Sequence, residues 1–385
     1  MRLGSEVLLA SRRLHGRRVG VVANPASIDH GFGHIVERVA GADGVTLGAI
    51  FGPQHGFHSN LQDNMIETPH ASDGRRQVPV YSLYSETREP TAKMLEGLDA
   101  LVIDLQDIGA RIYTFIYTMA NCLRAAGRHG VPVIVCDRPN PIGGVRVEGP
   151  MLEPGFESFV GQYPIPMRHG MTVGELAQLF NEHFRLGAAL EVVQMEGWRR
   201  EQYWDETGAP WVMPSPNIPT LDSAIVYPGT VLFEGTMLSE GRGTTRPFEL
   251  VGAPWIDADA FAERMNRLGL AGVHFRPATF EPTFQKHAKT PCGGCQIHVT
   301  DRQAFAPVAV GAALLREFHG TAPKQFAWRQ PPYEYEHDKL PIEILAGSSA
   351  LREQVDSQAP LSEIVASWKP GEDGFRELRS RFLLY

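Results

Sequence analysis

Acidic side chains are the first candidates for chemistry in this sequence. Two carboxyl groups, one protonated and one ionised, are the groups that hydrolyse a glycosidic bond. The candidate acids are Glu67, Glu86, Asp104, Asp107, Glu234 and Glu240. The side chains that could hydrogen-bond to sugar hydroxyls or pack against a sugar ring are Asn24, Asn140, Asn217, Arg111, Arg138, Arg242, Tyr113, Trp211 and Tyr227.

The sequence offers little support for nucleotide binding or for a catalytic serine nucleophile. The chain has no G-x-S-x-G nucleophile elbow and no G-x-x-x-x-G-K-[ST] phosphate loop. The turn after the first apolar run, "ANPASIDHGFGH", lacks the G-x-G-x-x-G spacing that lets a pyrophosphate approach the backbone. We therefore expect no nucleotide and no other cofactor.

A metal site is not expected either. His55 and His58 in "HGFH" do not have a standard ligand spacing. Cys292 and Cys295 form a single C-x-x-C, whereas a zinc site would need a second ligand pair at similar spacing. We expect the two glycines between these cysteines to form a turn between strands.

The elements that would position the candidate residues follow one repeated pattern in the first 240 residues. A short apolar run is followed by a Gly, Pro or Asn turn and then by a helix-like segment. Apolar strands that alternate with helices predict a parallel sheet covered on both faces. The runs are "RRVGVVANPAS", "VTLGAIFGPQHGF", "VPVYSLYSETREP", "LDALVIDLQDIGA", "VPVIVCDRPNPIGG" and "LEVVQMEGW". We predict an α/β fold, with a Rossmann-like doubly wound domain over residues 1–240.

Polar residues follow directly after these apolar runs. Ligands of open parallel sheets bind beyond the carboxyl ends of the strands, where the helix N-termini also point. Each such residue alone could simply cap the next helix, but the whole set favours a site at this edge. The residues are Asn24, His55, Glu86, Asp104, Asp107, Asp137 and Arg138.

The amino-acid composition of the sequence changes near residue 205. Residues 205–250 are rich in Pro, Gly, Ser and Thr, which predicts a long functional loop. Beyond it, "VHFRPATFEPTF" and "CQIHVTD" alternate as strands do, and "FAPVAVGAALLREFHG" has the pattern of a helix. We predict a second, smaller α+β domain over residues 250–385. Asp104, Arg111, Asp137 and Glu240 should then share one rim that faces the loop.

Bulk composition excludes several classes of protein. The 385 residues suggest two or three domains, and the net charge of −8 argues against nucleic acid or an anionic membrane as the main partner. Four cysteines are too few for a disulfide framework. The N-terminus has no apolar run of signal-peptide length, and no stretch approaches the ~20 apolar residues of a membrane span. We therefore predict a cytoplasmic protein; its oligomeric state does not follow from the sequence.

A set of motifs resembles the exo-β-N-acetylmuramidase family from about residue 18 to the C-terminus. The motifs are "FGPQHGFHSNLQDNMIE", "VYSLYSETREPT", "DLQDIGARIYTFIYTM", "DRPNPIGG", "SFVGQYPIPMRHGMTVGELA", "PSPNIPTLDSAIVYPGT" and "FEGTMLSEGRGTTRPFE". The resemblance implies a bacterial exo-glycosidase that releases N-acetylmuramic acid from the non-reducing end of peptidoglycan fragments. It also implies a Rossmann-like domain, a smaller C-terminal domain and a cleft between them.

The resemblance also bears on individual residues. Gln54 stands where many relatives have Glu, and Glu86 stands where some have Lys. Many relatives carry a signal peptide, so its absence here points to recycling inside the cell. The catalytic candidates are Asp104, Asp107, Glu234, Glu240 and Glu86. The substrate-binding candidates are Asn24, His55, Arg111, Tyr113, Asp137, Arg138, Asn217 and Arg242.

Muramic acid carries a lactyl carboxylate, which Arg111, Arg138 or Arg242 could bind in a bidentate fork. Arg111 could instead pair with Asp104 or Asp107 inside the protein. The acid would come from the Asp104/Asp107 pair or from the Glu234/Glu240 loop. One rival function is a non-catalytic protein that binds muropeptides or a sugar acid, and another is a nucleotide-dependent enzyme.

Overall fold

The computed structural model describes residues 1–62 and 65–385. The strands in these residues are β1 (Arg18–Ala23), β2 (Thr46–Gly52), β3 (Ala71–Asp73), β4 (Val78–Ser82), β5 (Ala100–Asp104), β6 (Val133–Cys136), β7 (Glu148–Met151), β8 (Pro166–Arg168), β9 (Leu190–Val193), β10 (Leu250–Ala253), β11 (Val273–Phe280) and β12 (Cys292–Val299). The α-helices are α1 (Gly4–Ala10), α2 (Ile35–Ala40), α3 (Ala92–Leu95), α4 (Phe115–His129), α5 (Val173–Glu182), α6 (Leu221–Thr230), α7 (Ala258–Arg267), α8 (Pro307–Thr321), α9 (Pro341–Ala346), α10 (Ala350–Asp356) and α11 (Leu361–Arg379).

The main sheet has seven strands in the order β3-β4-β2-β1-β5-β6-β9. All neighbours pair in parallel except β3 and β4. Counted along the chain, the six parallel strands lie in the order 3-2-1-4-5-6, the common order of doubly wound dinucleotide-binding sheets. The winding reverses between β1 and β5, so this is the switch point of the sheet. The predicted α/β fold class is confirmed.

Both faces of this sheet are covered. Val21 and Val102 pack into one apolar cluster with α1 and α2. Val22 and Ile103 point the other way, into a larger cluster that contains α4 and α5. Successive residues of a strand face opposite sides, so runs that are apolar at every position fit a sheet buried twice.

Several helix ends follow the chemistry expected of their residues. Thr172 and Glu175 form a capping box at the start of α5, and Thr91 caps α3. Gly130 ends α4 in the left-handed conformation at φ 69°.

The expectation of one long loop over residues 205–250 is wrong in part. Thr220 caps α6 inside it, and that helix continues through Pro228.

The second unit is built on a three-stranded antiparallel sheet, β10-β12-β11. Cys292 and Cys295 both lie within β12, so the predicted turn between them is wrong. Gly293 and Gly294 are there because a neighbouring backbone passes very close: a Cβ on Gly294 would lie 2.0 Å from the carbonyl oxygen of Val251. Both thiols are free and buried.

The two units share a continuous core. One apolar cluster includes Val22 in β1, Phe248 beside β10 and Phe382 near the C-terminus. The chain end returns to the first sheet, where the Tyr385 hydroxyl donates to Asp137 at 2.8 Å. The second unit is therefore fixed against the sheet by apolar packing and by a buried hydrogen bond. Every helix in the described residues is too short or too polar to span a lipid bilayer.

The switch point of the sheet is filled by a buried arginine. Arg138 donates through Nη1 to Asp104 and through Nε to Gln106, each at 2.9 Å. Its Nη2 donates to the carbonyl oxygens of Ala26 and Ile28, also at 2.9 Å. This guanidinium ties the loops after β1, β5 and β6 together, so the crevice between β1 and β5 is closed by protein groups.

Replacing Arg138 by Met should lower the free energy of unfolding by about 3–5 kcal/mol, because Asp104 would be left as an unpaired buried charge. The matched control is Arg13→Met, since the Arg13–Glu191 pair is nearly half exposed and should contribute less than about 1 kcal/mol. Urea unfolding followed by circular dichroism measures both. Equal losses in the two variants would contradict this role.

Candidate active site

A polar pocket lies where the second unit meets the loops beyond the carboxyl edge of the main sheet. It contains about 470 Å³ of space, including its open mouth. The first unit contributes the loop after β2 and residues 112–115 after β5. The second unit and the segment that leads into it contribute Tyr227, Glu234, Arg242, Tyr333 and Glu334. The pocket is therefore assembled from segments that are far apart in the chain.

Glu234 is a buried carboxylate with strong donors. Arg242 donates through Nη2 to its Oε1 at 2.7 Å, and the Tyr333 hydroxyl donates to its Oε2 at 2.7 Å. Burial raises the pKa of Glu234, but the charge of Arg242 and these hydrogen bonds outweigh burial and lower the pKa below its ordinary value. Glu234 is thus ionised at neutral pH.

Glu334 is a second buried glutamate, and its pKa is shifted in the opposite direction, above the ordinary value. The Tyr84 hydroxyl donates to its Oε2 at 3.0 Å, and Gln54 donates through Nε2 to its Oε1 at 3.4 Å. Burial and the negative charge of Glu234 raise the pKa of Glu334 to about 7, although both hydrogen bonds lower it. A large fraction of Glu334 is therefore protonated at neutral pH.

The backbone at Glu334 is strained. Tyr333 and Glu336 exchange two backbone hydrogen bonds of 2.9 Å across a two-residue turn. Glu334 and Tyr335 occupy the turn with φ of 45° and 70°. Such turns normally use Asn and Gly, because a side chain at positive φ costs roughly 1–2 kcal/mol. Strain of this kind persists where the surroundings over-determine the conformation, as they do at many functional sites.

His55 lines the same pocket and is neutral. Its Nδ1 lies 2.7 Å from the carbonyl oxygen of Leu61, which fixes the tautomer with the proton on Nδ1. Burial, together with the charge of Arg242, lowers the pKa of His55 to about 4, although the hydrogen bond to Leu61 and the charge of Glu234 raise it. His55 can therefore offer a ring nitrogen as a hydrogen-bond acceptor without adding charge.

Arg242 lies close to a second carboxylate, Glu240, as well as to Glu234. Its Nε lies 3.5 Å from Glu240 Oε1, and Lys286 Nζ lies 2.7 Å from Glu240 Oε2. Glu240 faces the adjoining cavity on the far side of Glu234. Arg242 Nη1 is buried and has no hydrogen-bond partner among residues 1–62 and 65–385. In the same residues its Nε makes no hydrogen bond either. The guanidinium carbon lies 5.1 Å from the ring centre of Phe248, so the cation is held in place with Nη1 available to a ligand.

Two more predicted residues line the pocket with Glu234, His55 and Arg242. Tyr113 forms part of the wall. Asn217 also lies there and donates to the carbonyl oxygen of Gln62 at 2.8 Å. The structure thus brings together five of the predicted site residues, from both units of the fold.

Three predicted residues at the switch point lie outside this pocket. Asn24 contacts the carbonyl oxygens of Gln106 and Pro214, and Asp104 and Arg138 form the buried pair described above. The hydrogen bonds of these side chains go to other protein groups, although Asp104 Oδ2 is buried without a partner in the described residues. The edge of the sheet that was expected to hold the site is therefore used mainly to join loops.

The remaining candidates are also apart from the pocket. Asp107 accepts from the backbone N–H of Gly109 at 2.7 Å. Arg111 is fully buried and donates to the carbonyl oxygens of Leu345 and Ala346, at the end of α9, so it pairs with neither predicted aspartate. Asp137 accepts from Thr172.

Glu86 lies on the surface next to His70, with its side chain 70% exposed. Asp104, Arg111 and Asp137 do not line the pocket around Glu234, and Glu240 faces the adjoining cavity. These four residues do not share the single hollow that the sequence led us to expect.

Glu334 was missed by reasoning from sequence, as were its partners Gln54 and Tyr84 and the partner of Glu234, Tyr333. The segment "RQPPYEYEHDK" (329–339) lies late in the chain, far from the strand ends that drew attention. The available signal was the alternation of Tyr and Glu after a Pro-Pro pair.

No group of three or more His, Cys, Asp or Glu in the described part of the chain is placed to hold a metal ion.

Comparisons with known proteins agree with this architecture. The N-terminal profile of exo-β-N-acetylmuramidase NamZ matches residues 19–222, and the C-terminal profile matches residues 225–385. The chain is 44% identical over 374 residues to peptidoglycan β-N-acetylmuramidase NamZ of Bacillus subtilis (strain 168), covering 97% of this chain and 88% of that protein.

Two solved structures of DUF1343 family proteins from Bacteroides fragilis NCTC 9343 are also similar. One has a TM-score of 0.90 with 34% identity, and the other has a TM-score of 0.75 with 25% identity. In each comparison 100% of this chain and 98% of the other chain are covered.

Two buried glutamates with pKa values shifted in opposite directions lie between a Rossmann-like sheet and a smaller domain, as expected of a glycoside hydrolase that works by acid–base catalysis. More particularly, the chain belongs to the exo-β-N-acetylmuramidase family, which confirms the resemblance seen in its motifs.

The raised pKa of Glu334 should appear in the stability of the folded protein. The folded carboxyl binds its proton more tightly than an unfolded glutamate, whose pKa is about 4.3. The stability gained from this tighter proton binding is fully present below the pKa of the unfolded glutamate. It is lost as pH rises towards about 7. Relative to Glu334→Gln, the wild type should lose up to about 1.4 kcal/mol of stability per pH unit in this window.

Urea unfolding at pH values from 4.5 to 8 measures this difference. Glu86→Gln is the control, because Glu86 is exposed and its pKa lies low, so its curve should run parallel to the wild type above pH 5. A constant gap between wild type and Glu334→Gln over the whole range would refute the raised pKa.

Proposed function

We propose that this protein is an exo-acting glycoside hydrolase that releases N-acetylmuramic acid from the non-reducing end of peptidoglycan fragments. The observation that carries the proposal is the buried pair Glu234 and Glu334, one held ionised and the other held largely protonated. Membership of the exo-β-N-acetylmuramidase family and the name of the Bacillus subtilis relative support the substrate.

The mechanism assigns one role to each carboxyl group. Glu334 donates its proton to the glycosidic oxygen as the bond between this oxygen and the anomeric carbon breaks. Glu234 stabilises the positive charge that develops on the sugar ring and accepts a proton from the attacking group. Tyr333 and Arg242 keep Glu234 ionised and in place for this step. The earlier candidates Asp104, Asp107 and Glu86 have no role in this scheme.

Arg242 is the proposed anchor for the lactyl carboxylate of muramic acid. Its Nη1 is buried beside the pocket and lacks a hydrogen-bond partner in the described residues. Arg111 also has buried nitrogens without a partner there, but neither Arg111 nor Arg138 lines the pocket. A carboxylate at Nη1 would complete the charge-assisted bonds of this guanidinium. His55 and Asn217 supply polar contacts for the neutral parts of the sugar.

A non-catalytic sugar-acid binding protein is the alternative. Such a protein would use the cation and the amides of the pocket. It would gain nothing from a carboxyl group that is partly protonated at neutral pH beside an ionised one, since a buried pair of this kind costs stability. Recycling of wall fragments in the cytoplasm stays a prediction, and fractionation of cells with an antibody to the protein would test it.

Replacing Glu234 or Glu334 by Gln should lower kcat for a β-linked N-acetylmuramyl disaccharide by on the order of 10²-fold or more, because each change removes one member of the acid–base pair. Release of the free sugar, followed by chromatography, is the measurement. Glu263→Gln is the matched control and should retain the wild-type rate, because Glu263 is 69% exposed and lines neither this pocket nor the cavity beside it. Full activity in both pocket variants, with both folded, would refute the assignment.

An aryl glycoside with a good leaving group separates the two roles. Such a leaving group departs without protonation, so Glu334→Gln should recover much of its lost rate on this substrate and Glu234→Gln should not. The wild-type rate on the disaccharide should also fall as pH rises above about 7, as Glu334 loses its proton. Equal recovery in the two variants would contradict the separate roles.

The fall in rate above about pH 7 is the alkaline limb of the pH profile, and Gln54→Glu should move this limb to higher pH. The new carboxyl would lie near Glu334 Oε1, where the Gln54 amide now donates at 3.4 Å, and two carboxyl groups so close share a proton. Gln54→Met removes the donor without adding charge, so its shift should be smaller. The pH dependence of kcat/KM measures both shifts, and an unchanged limb in Gln54→Glu would be the contrary result.

A further inference from the structure

A second and larger cavity adjoins the pocket and shares Glu334 with it. It contains about 1400 Å³ of space, including space open to solvent. We call it the outer groove and define it by Ser85, Arg88, Ser158, Phe159, Glu334 and Tyr335. Most of these residues play no part in the mechanism above, although Arg88 lies in the motif "VYSLYSETREPT".

Aromatic rings form one wall of the outer groove. The ring of Tyr335 is 46% exposed, and its centre lies 6.4 Å from the ring centre of Phe159. Arg88 lies against both Tyr335 and Tyr84, with its guanidinium carbon 4.5 Å and 4.4 Å from their ring centres. Arg88 is itself fixed by Glu67 at 3.1 Å. The exposed ring is thus held rigidly, which suits it to stack on a flat ligand.

The position of Tyr335 relates the outer groove to the reaction. Glu334 and Tyr335 are the two central residues of the same strained turn. Glu334 accepts hydrogen bonds from Gln54, which lines the pocket, and from Tyr84, while Tyr335 faces the outer groove. A group bound on Tyr335 therefore lies directly beyond the carboxyl that protonates the leaving oxygen, which is where the leaving sugar must be.

Charge and hydrogen bonding indicate what kind of group fits. The lining includes six glutamates and three arginines, and the arginines face glutamates: Arg88 pairs with Glu67, and Arg124 and Arg128 pair with Glu89. An anionic ligand would meet net negative charge here. Ser158 Oγ is buried at the groove and has no hydrogen-bond partner in the described residues, so it can serve a neutral polar ligand.

We propose that the outer groove is the subsite for the leaving portion of the substrate, and that it takes a neutral N-acetylated sugar stacked on Tyr335. This inference rests on the proposed function and adds to it a selectivity at the leaving side. Sugars that carry a carboxylate directly next to the scissile bond are disfavoured on that side.

The test compares two donors in wild type and in Tyr335→Ala. One donor is the β-1,4-linked disaccharide of N-acetylmuramic acid and N-acetylglucosamine. The other is β-N-acetylmuramyl fluoride, which has no leaving sugar. Tyr335→Ala should lower kcat/KM about tenfold or more for the disaccharide and less than about twofold for the fluoride. Tyr335→Phe keeps the ring and should restore most of the disaccharide rate.

Phe32→Ala is the matched control, because Phe32 is an exposed ring, 68% accessible, that lines neither cavity. A fall of equal size for both donors in Tyr335→Ala would show that Tyr335 only supports Glu334, and no fall for either would also overturn the proposal.

A binding measurement separates this proposal from the proposed function. Saturation-transfer NMR with methyl β-N-acetylglucosaminide needs no turnover. Binding to wild type that is lost in Tyr335→Ala supports the outer groove even if neither donor is hydrolysed, a result that would end the hydrolase proposal alone. Absence of binding to a wild type that hydrolyses the fluoride would end the subsite proposal alone.

Discussion

The structure depends on two glutamates buried at the junction of two units and held in different protonation states. Glu234 receives charge-assisted and hydroxyl hydrogen bonds from Arg242 and Tyr333. Glu334 receives weaker bonds from neutral groups and experiences the negative charge of Glu234. The low dielectric of the site makes each of these interactions stronger than it would be in water. The same burial that would penalise two carboxylates thus keeps one proton available at neutral pH.

This arrangement accounts for the way the two units are joined. Glu234 and Glu334 both belong to the C-terminal half, but the groups that set the pKa of Glu334 include Gln54 and Tyr84 from the loops after β2 and β4. Movement of one unit against the other would separate donors from acceptors. The continuous apolar core and the bond between Tyr385 and Asp137 oppose such movement. Rigidity at the junction therefore serves the electrostatics of the pocket as well as the stability of the fold.

The sheet explains why the pocket is displaced from the switch point. Doubly wound sheets often bind a ligand in the crevice where the strand order reverses. Here Arg138 occupies that crevice and uses its donors on Asp104, Gln106 and two carbonyl oxygens. The reasoning that selected polar residues just beyond the strand ends included His55, which lines the pocket. It selected Asp104, Asp137 and Arg138 by the same rule, although these side chains link loops and helices within the protein.

The sequence by itself determined the doubly wound sheet, the smaller second domain, the family and the loop that contains Glu234 and Arg242. Apolar periodicity, turn residues and motif spacing are local properties, and a local reading recovers them. Only the tertiary structure decided that Glu334 faces Glu234, that Arg111 caps α9 and that Glu86 stays in solvent. The protonation state of a carboxyl group depends on burial and on charges brought close from distant parts of the chain. That information does not lie in the spacing of residues along the sequence, because folding alone sets the distances through which the charges act.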